Sequence, residues 1–187
     1  YFFIDKAGKN VSGERYDRIF DFSDGLAKVI KDREKLFIDK DGKELYSGRY
    51  DDVESFSEGL ARVKKDGEWF FIDRNGKEIF DEKYTWAYSF SEGFARVTEG
   101  NLWFFIDKKG NILANQVYNE AWDFYEGFAR VKKKGKWFFI DKTGNPISEE
   151  RYSNVNNFSA GLAIVEKNGK WFHINRTGDA IYEDRYD

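Results

Sequence analysis

The sequence predicts an all-β fold of tandem 34-residue antiparallel β-hairpin repeats, and three observations carry that prediction. The first is periodicity. Ile4, Ile38, Ile72, Ile106, Ile140 and Ile174 recur every 34 residues, as do Gly8, Gly42, Gly76, Gly110, Gly144 and Gly178, with no insertion or deletion. A fixed period of this length marks a repeat architecture. The second is that the apolar runs are only 4–7 residues long and rich in aromatic and β-branched types. The third is that Asp-Gly or Asn-Gly bounds them, supplying the φ > 0 residues of tight hairpins.

The second repeat shows the elements in order. Tyr50–Phe56 is an extended entry segment and Ser57-Glu58-Gly59 a turn. Leu60–Lys64 is a strand, Asp66-Gly67 a hairpin, and Trp69–Asp73 a second strand. Asn75-Gly76 then turns the chain into Lys77–Phe80. Side chains alternate along a strand, so Ala61 and Val63 share a face, as do Phe70 and Ile72. The Trp-Phe-Phe-Ile strand is apolar on both faces, which predicts an inner position covered on both sides. The Ala slot (Ala27, Ala61, Ala95, Ala129, Ala163) never enlarges, which predicts a close neighbour there. Residues 1–187 are expected to form a single array of about 5.5 units. An open solenoid-like array accepts half-repeats and is favoured, with a β-propeller of whole blades as the alternative. The half-repeat at the start suggests a processed chain or a stretch of a longer array.

The units resemble the WG-repeat (KWG-repeat) family of bacterial β-repeat proteins. The likeness is carried by Phe56-Ser57-Glu58-Gly59-Leu60-Ala61-Arg62-Val63, then Gly67-Glu68-Trp69, then Phe71-Ile72-Asp73 and Gly76. Gly135-Lys136-Trp137-Phe138-Phe139-Ile140-Asp141 is another copy. The chain departs at the Gly that follows Trp in the family, where it has Phe70, Phe104, Phe138 and Phe172, with Leu36 in the weaker copy. The resemblance implies an all-β scaffold, often in exported or surface-associated bacterial proteins, with no general catalytic residues. The aromatic-glycine hairpins also bear a weaker likeness to cell-wall-binding repeats.

Composition excludes several chemistries. There is no Cys, so no disulfide framework, thiolate site or cysteine nucleophile is available. His173 is the single histidine, which argues against a His-rich metal site and a His-dependent hydrolase. Lys and Arg number 31 against 34 Asp and Glu, which does not suit a general nucleic-acid binder. The longest strictly apolar run, Leu102–Ile106, is far short of the ~20 residues that span a bilayer. No membrane insertion, cofactor, metal or enzymatic activity is expected.

The repeated Asp39, Asp73, Asp107 and Asp141, with Asp5 before and Asn175 after, are expected to cap turns. His173 replaces a core Phe and is expected to pack. Asp24, Glu58, Glu92 and Glu126 form an acidic row, four residues before Lys28, Arg62, Arg96 and Arg130. These rows are expected to make a solvated ion-pair ladder, with a rim for a charged ligand as the functional reading. Most informative are aromatics that break the repeat. Trp86 stands where other copies have Arg18, Asp52, Glu120 and Asn154; Tyr88 and Trp122 share a slot with Phe20, Glu54 and Asn156; Tyr125 replaces a Ser. As a regular strand, Tyr84, Trp86, Tyr88 and Phe90 would share a face, though the spacing of Tyr84, Ala87 and Phe90 hints at a bulge. Trp86, Tyr88, Trp122, Tyr125, Arg96 and Arg130 are the candidate ligand-binding residues, against the alternative of local core variation. The expected function is a non-enzymatic interaction module for a protein or surface ligand, or else a carbohydrate or cell-wall binder.

Overall fold

A computed structural model describes residues 1–3, 10, 11 and 13–181. Ile4, Asp5 and Gly8 of the repeat pattern lie outside them. The chain divides into two compact units, Tyr1–Phe90 and Ser91–Asp187. In the first unit, β1 (Arg18–Ser23), β2 (Leu26–Lys31), β3 (Glu34–Asp39) and β4 (Glu44–Tyr50) form a four-stranded antiparallel sheet in chain order. Then β5 (Asp52–Val53), β6 (Ala61–Lys65) and β7 (Glu68–Ile72) form a three-stranded one, and β8 (Trp86–Ala87) follows. In the second unit, β9 (Phe94–Glu99) and β10 (Leu102–Asp107) pair as a hairpin. Next come the sheets β11 (Glu120–Ala121), β12 (Ala129–Lys133), β13 (Lys136–Ile140) and β14 (Asn154–Val155), β15 (Ala163–Lys167), β16 (Lys170–Ile174). Among the described residues there is no α-helix; a 3₁₀ turn spans Leu113–Asn115. The expected tandem antiparallel hairpins are thus present, and no described sheet closes on itself as a barrel.

The turn chemistry fixes these hairpins. Asp66 (φ 53°) and Gly67 (φ 87°) are both left-handed, the backbone of a type I′ turn whose twist matches the strands it joins. Lys134-Gly135 and Asn168-Gly169 repeat it. Asp32-Arg33 makes the same turn without glycine, leaving Arg33 at φ 70°. The Ser-Glu-Gly turns are of this type too, with Glu58 at φ 54° and Gly59 at φ 87°.

Beyond β7 the chain returns alongside it through single bridges, Ile72 to Glu78 and Trp69 to Tyr84. The strand that is apolar on both faces is therefore inner, and Trp69, Phe70, Phe71 and Ile72 are all buried. The next segment is not the regular strand whose alternation would put Tyr84, Trp86, Tyr88 and Phe90 on one face. Only Trp86 and Ala87 are strand, and the buried residues recur every three positions at Tyr84, Ala87 and Phe90. Tyr118, Ala121 and Phe124 repeat that spacing, as do Tyr152, Val155 and Phe158. A two-residue strand between turns rotates the chain, so Trp86 faces outward.

Each core joins two successive repeats. Phe37 of β3 packs with Val53, Phe56, Ala61, Val63, Phe70 and Ile72 of the next repeat. In the second unit Phe105 and Phe139 play the same part for the repeats that follow them. The inserted ring meets a Phe 19 residues on, edge to face, with centroids 4.8 Å apart for Phe37–Phe56, 5.0 Å for Phe71–Phe90 and Phe105–Phe124, and 4.7 Å for Phe139–Phe158. The invariant Ala residues beneath these rings are 0–1% exposed, as their constant size predicted. The Phe that departs from the family pattern is buried as well, and Phe70, Phe138 and Phe172 each meet the recurring Tyr 20 residues earlier in the same repeat, with ring centroids 6.0–6.3 Å apart.

Glycine is required at Gly144. It lies at φ +84°, and a Cβ there would come 2.5 Å from Ala114 Cβ of the preceding repeat. Gly135, at φ +75°, has open space around it. Gly135→Ala should cost about 1 kcal/mol through backbone strain alone. Gly144→Ala adds overpacking and should cost at least ~2 kcal/mol in urea unfolding. Arg33→Gly should raise stability by up to ~1 kcal/mol, because it relieves a left-handed side chain.

Candidate binding surface

Among the described residues, the contacts of the acidic and basic rows run forward along the chain and differ from the expected ladder. Each reaches forward into the next repeat. Asp24 Oδ2 accepts the Gly59 amide at 2.7 Å, and Glu92 Oε2 accepts that of Gly127 at 2.8 Å. Glu126 accepts the amides of both Ala160 and Gly161. These carboxylates also meet cations of a different row, Glu92 with Lys142 at 3.2 Å and Glu126 with Arg176 at 3.3 Å. The backbone amides of Gly161 and Ala160 hold the Glu126 carboxyl below its ordinary pKa. This explains an acid at a left-handed turn position, φ 51–54° along the row, where Gly or Asn costs less.

The basic row caps carbonyls 25 residues ahead. Lys28 donates to Val53 O at 3.2 Å, Arg62 to Ala87 O, Arg96 to Ala121 O at 2.6 Å and Arg130 to Val155 O at 3.0 Å. Serines complete the clasp: Ser23 donates to Phe56 O, Ser57 to Phe90 O and Ser91 to Phe124 O. Tyr125 stands in that serine slot and is 53% exposed.

Between successive cations lies the slot of Phe20, Glu54, Tyr88, Trp122 and Asn156. Glu54 sits between Lys28 (3.4 Å) and Arg62 (3.7 Å), a carboxylate against two cations. Trp122 takes the same place with an indole, its ring under Arg130 Cζ at 4.2 Å and Arg96 Cζ at 5.2 Å. Tyr88 lies 5.2 Å from Arg62 Cζ. A cation over an aromatic face gains ~0.5–2 kcal/mol without being neutralised. Arg96 is buried and its Nε donates to Asp123 at 2.7 Å. In the next copy Asn157 holds the Asp123 slot, and Arg130 Nε is buried with no hydrogen-bond partner. Burial first, and then the charge of Arg96, lower the pKa of Arg130.

Trp86 has a parallel history. In the preceding copy Lys35 and Asp52 form an ion pair at 2.7 Å; in this one the same two slots hold Trp69 and Trp86, edge to face at 5.5 Å. Trp86 also lies 6.4 Å from Tyr88. Trp86 is 41% and Trp122 44% exposed. The first unit therefore brings together Trp86, Tyr88, Trp69 and Arg62, and the second brings together Trp122, Arg96 and Arg130. Sequence reasoning missed Trp69 and Asp123, because each lies at an ordinary-looking position and is recruited only by the fold.

The repeated aspartates cap turns. Asp73 Oδ1 accepts the amides of Asn75 (2.8 Å) and Lys77 (2.9 Å); Asp107 and Asp141 do the same, and Asn175 keeps both contacts without a charge. Among the described residues, no group of three or more His, Asp or Glu is placed to hold a metal. His173 is half-buried and lines an open pocket with Asn156 and Ile164. No helix among the described residues is long and apolar enough to cross a membrane.

The family model described as WG containing repeat matches residues 1–33, 37–69, 69–103, 103–137 and 137–171. The chain belongs to the WG-repeat family. No curated protein matches it. Among solved structures it is similar to BamB from Moraxella catarrhalis, with 14% identity and a TM-score of 0.50 over 87% of this chain and 59% of that one. It is similar to Hsv2 from Kluyveromyces lactis, with 12% identity and a TM-score of 0.50 over 88% of this chain and 62% of that one. A eukaryotic initiation factor matches at 13% identity and a TM-score of 0.54, over 91% of this chain and 55% of that one. The WG chain thus spans about three fifths of these structures. BamB and Hsv2 are β-propeller-like proteins, and identities this low show fold alone, that of small antiparallel sheets in succession.

Asp73, Asp107 and Asp141 have carboxyl pKa values below the ordinary 3.8: burial opposes the shift, and hydrogen bonds from amides, led at Asp141 by the Thr143 hydroxyl, outweigh it. A lowered folded pKa gives stability that is present above the unfolded value and lost as pH falls through the folded one. Converting all three to Asn, as Asn175 already is, keeps the acceptor and removes the titration. The triple variant should lose less melting temperature than the parent as pH falls from about 5 to about 2.

Proposed function

We propose that this WG-repeat chain is a non-enzymatic binding module, and that its second unit engages a protein partner around Trp122. The observation that carries the reading is the exposed indole between Arg96 and Arg130, where the equivalent Glu54 neutralises two cations. Replacing the acid by an aromatic leaves Arg130 without the carboxylate that Glu54 supplies in its own copy, a cation beside an apolar face, while Arg96 keeps Asp123. Aromatic and Arg side chains are the types enriched in binding hot spots. The partner this suits has carboxylates beside an apolar or aromatic side chain. The propeller-like neighbours support a scaffold of this kind without indicating its ligand. Trp86 and Tyr88 offer a similar, less cationic surface on the first unit.

A carbohydrate or cell-wall ligand is the second reading, supported by the exposure of Trp122 and Tyr125, whose rings could stack on sugar faces. The two readings part on charge: protein binding through carboxylates should weaken with salt, whereas stacking on a neutral sugar should not.

Trp122→Ala should leave the melting temperature within a few degrees of the parent and abolish capture of the partner from an extract of the source cells. Arg130→Gln should weaken capture about tenfold. Retention on peptidoglycan sacculi, lost in Trp122→Ala and insensitive to salt, would favour the second reading. Unfolding of both Trp122→Ala and the gentler Trp122→Phe would make the indole part of the scaffold.

A further inference from the structure

The second unit contains two pockets that are copies of one another. One, of about 400 Å³, is lined by Gln116, Tyr118, Lys133, Phe138, Asn145 and Arg151. The other, of about 270 Å³, has Glu150, Tyr152, Lys167, Phe172 and Asp179 in the same places one repeat later. The copies keep the aromatic walls and the lysine but differ in charge. In the later pocket Lys167 pairs with Glu150, and hydrogen bonds from Thr177 and Asn175 keep the Asp179 carboxyl acidic, so among the described residues that lining holds two carboxylates and one cation.

In the earlier pocket both carboxylates are amides. Lys133 Nζ donates to Gln116 Oε1 at 2.9 Å, a neutral acceptor. Arg151 lies over the Phe138 ring at 4.2 Å and donates to the carbonyls of Ser148 and Glu150. The lining thus holds two cations and no carboxylate. Burial pushes the Tyr118 phenol up to about 12, so it stays a neutral hydroxyl at physiological pH. A second feature marks this copy. Ala114, on the rim, is held at φ 52°, a conformation that costs an alanine about 1 kcal/mol and that tends to cluster at ligand sites.

Two cations that share a pocket without a counter-ion attract an anion, and the Phe138 and Tyr118 walls favour a flat or apolar body behind it. We propose that the Lys133–Arg151 pocket binds a small oxyanion, carboxylate or phosphate, carried on an aromatic or apolar group. The site is separate from the Trp122 surface and does not depend on the partner proposed for it.

The test uses benzoate, phenyl phosphate and the uncharged benzyl alcohol as probes, followed by calorimetry and ligand-observed NMR. At least one of the two anions should bind, more weakly as salt rises, and benzyl alcohol at least tenfold more weakly than that anion; which anion binds identifies the oxyanion. Gln116→Glu gives Lys133 the partner that Lys167 already has. It should lower anion affinity at least tenfold with an unchanged melting temperature, and Arg151→Gln should do the same. Equal binding of benzyl alcohol, affinity unchanged in Gln116→Glu, or absence of anion binding at millimolar concentration would each overturn the proposal.

Discussion

Within each compact unit, the structure depends on rings that one repeat places in the core of the next. Phe37, Phe71, Phe105 and Phe139 leave their own hairpins to pack edge to face on a Phe 19 residues on, at 4.7–5.0 Å. Each of these inserted rings is at most 2% exposed. A repeat of this size cannot bury its aromatics alone, so its core is completed by the repeat before it. Loss of such a ring removes burial worth ~1.5–3 kcal/mol and leaves a cavity as well. The same contact explains why the period tolerates no insertion. A one-residue slip would turn every side chain of the hairpin to the opposite face and withdraw the ring from its socket.

The polar residues act at the same junctions. The acid of one Ser-Glu-Gly turn, its serine and the cation four residues past the acid all reach backbone groups 25–35 residues ahead. Single ion pairs at a surface contribute little. A charged side chain on a buried backbone amide or carbonyl is a different interaction, since that backbone group would otherwise lose its hydrogen bond. The left-handed strain at Asp24, Glu92 and Glu126 fits this division of labour. Glycine would relax the turn and remove the carboxylate that the next repeat requires.

Local rules were legible in the sequence, and forward-reaching ones were not. Hairpin positions followed from Asp-Gly and Asn-Gly pairs, the inner strand from its two apolar faces, and turn capping from Asp73 and its equivalents, because each depends on residues at most a few positions apart. The rows of Glu92 and Arg96 suggested mutual pairing because they are close in sequence, yet their partners, Gly127 and Ala121, belong to the next repeat. The three-residue spacing of Tyr84, Ala87 and Phe90 was visible, but only the two-residue strand at Trp86–Ala87 shows that it sets which side is buried. The Lys133 pocket left a fainter trace. Gln116 and Asn145 look like ordinary variation until the fold places both on one lining, where each replaces an acid of the sister copy.

Repetition also separates what folding requires from what it permits. The slot between two cations accepts Glu54 and Trp122 alike, since either can sit against the guanidinium groups, and the clasp to the next repeat survives the exchange. The exchange changes what faces solvent. A carboxylate at 3.4–3.7 Å satisfies its cations locally, whereas an indole offers Arg130 only a quadrupole and leaves its charge available beyond the ring. The amide-for-acid exchanges at Gln116 and Asn145 follow the same logic, with the cation kept and its counter-charge removed. In both places the core aromatics are kept, so the surface can diverge from repeat to repeat while the core stays fixed.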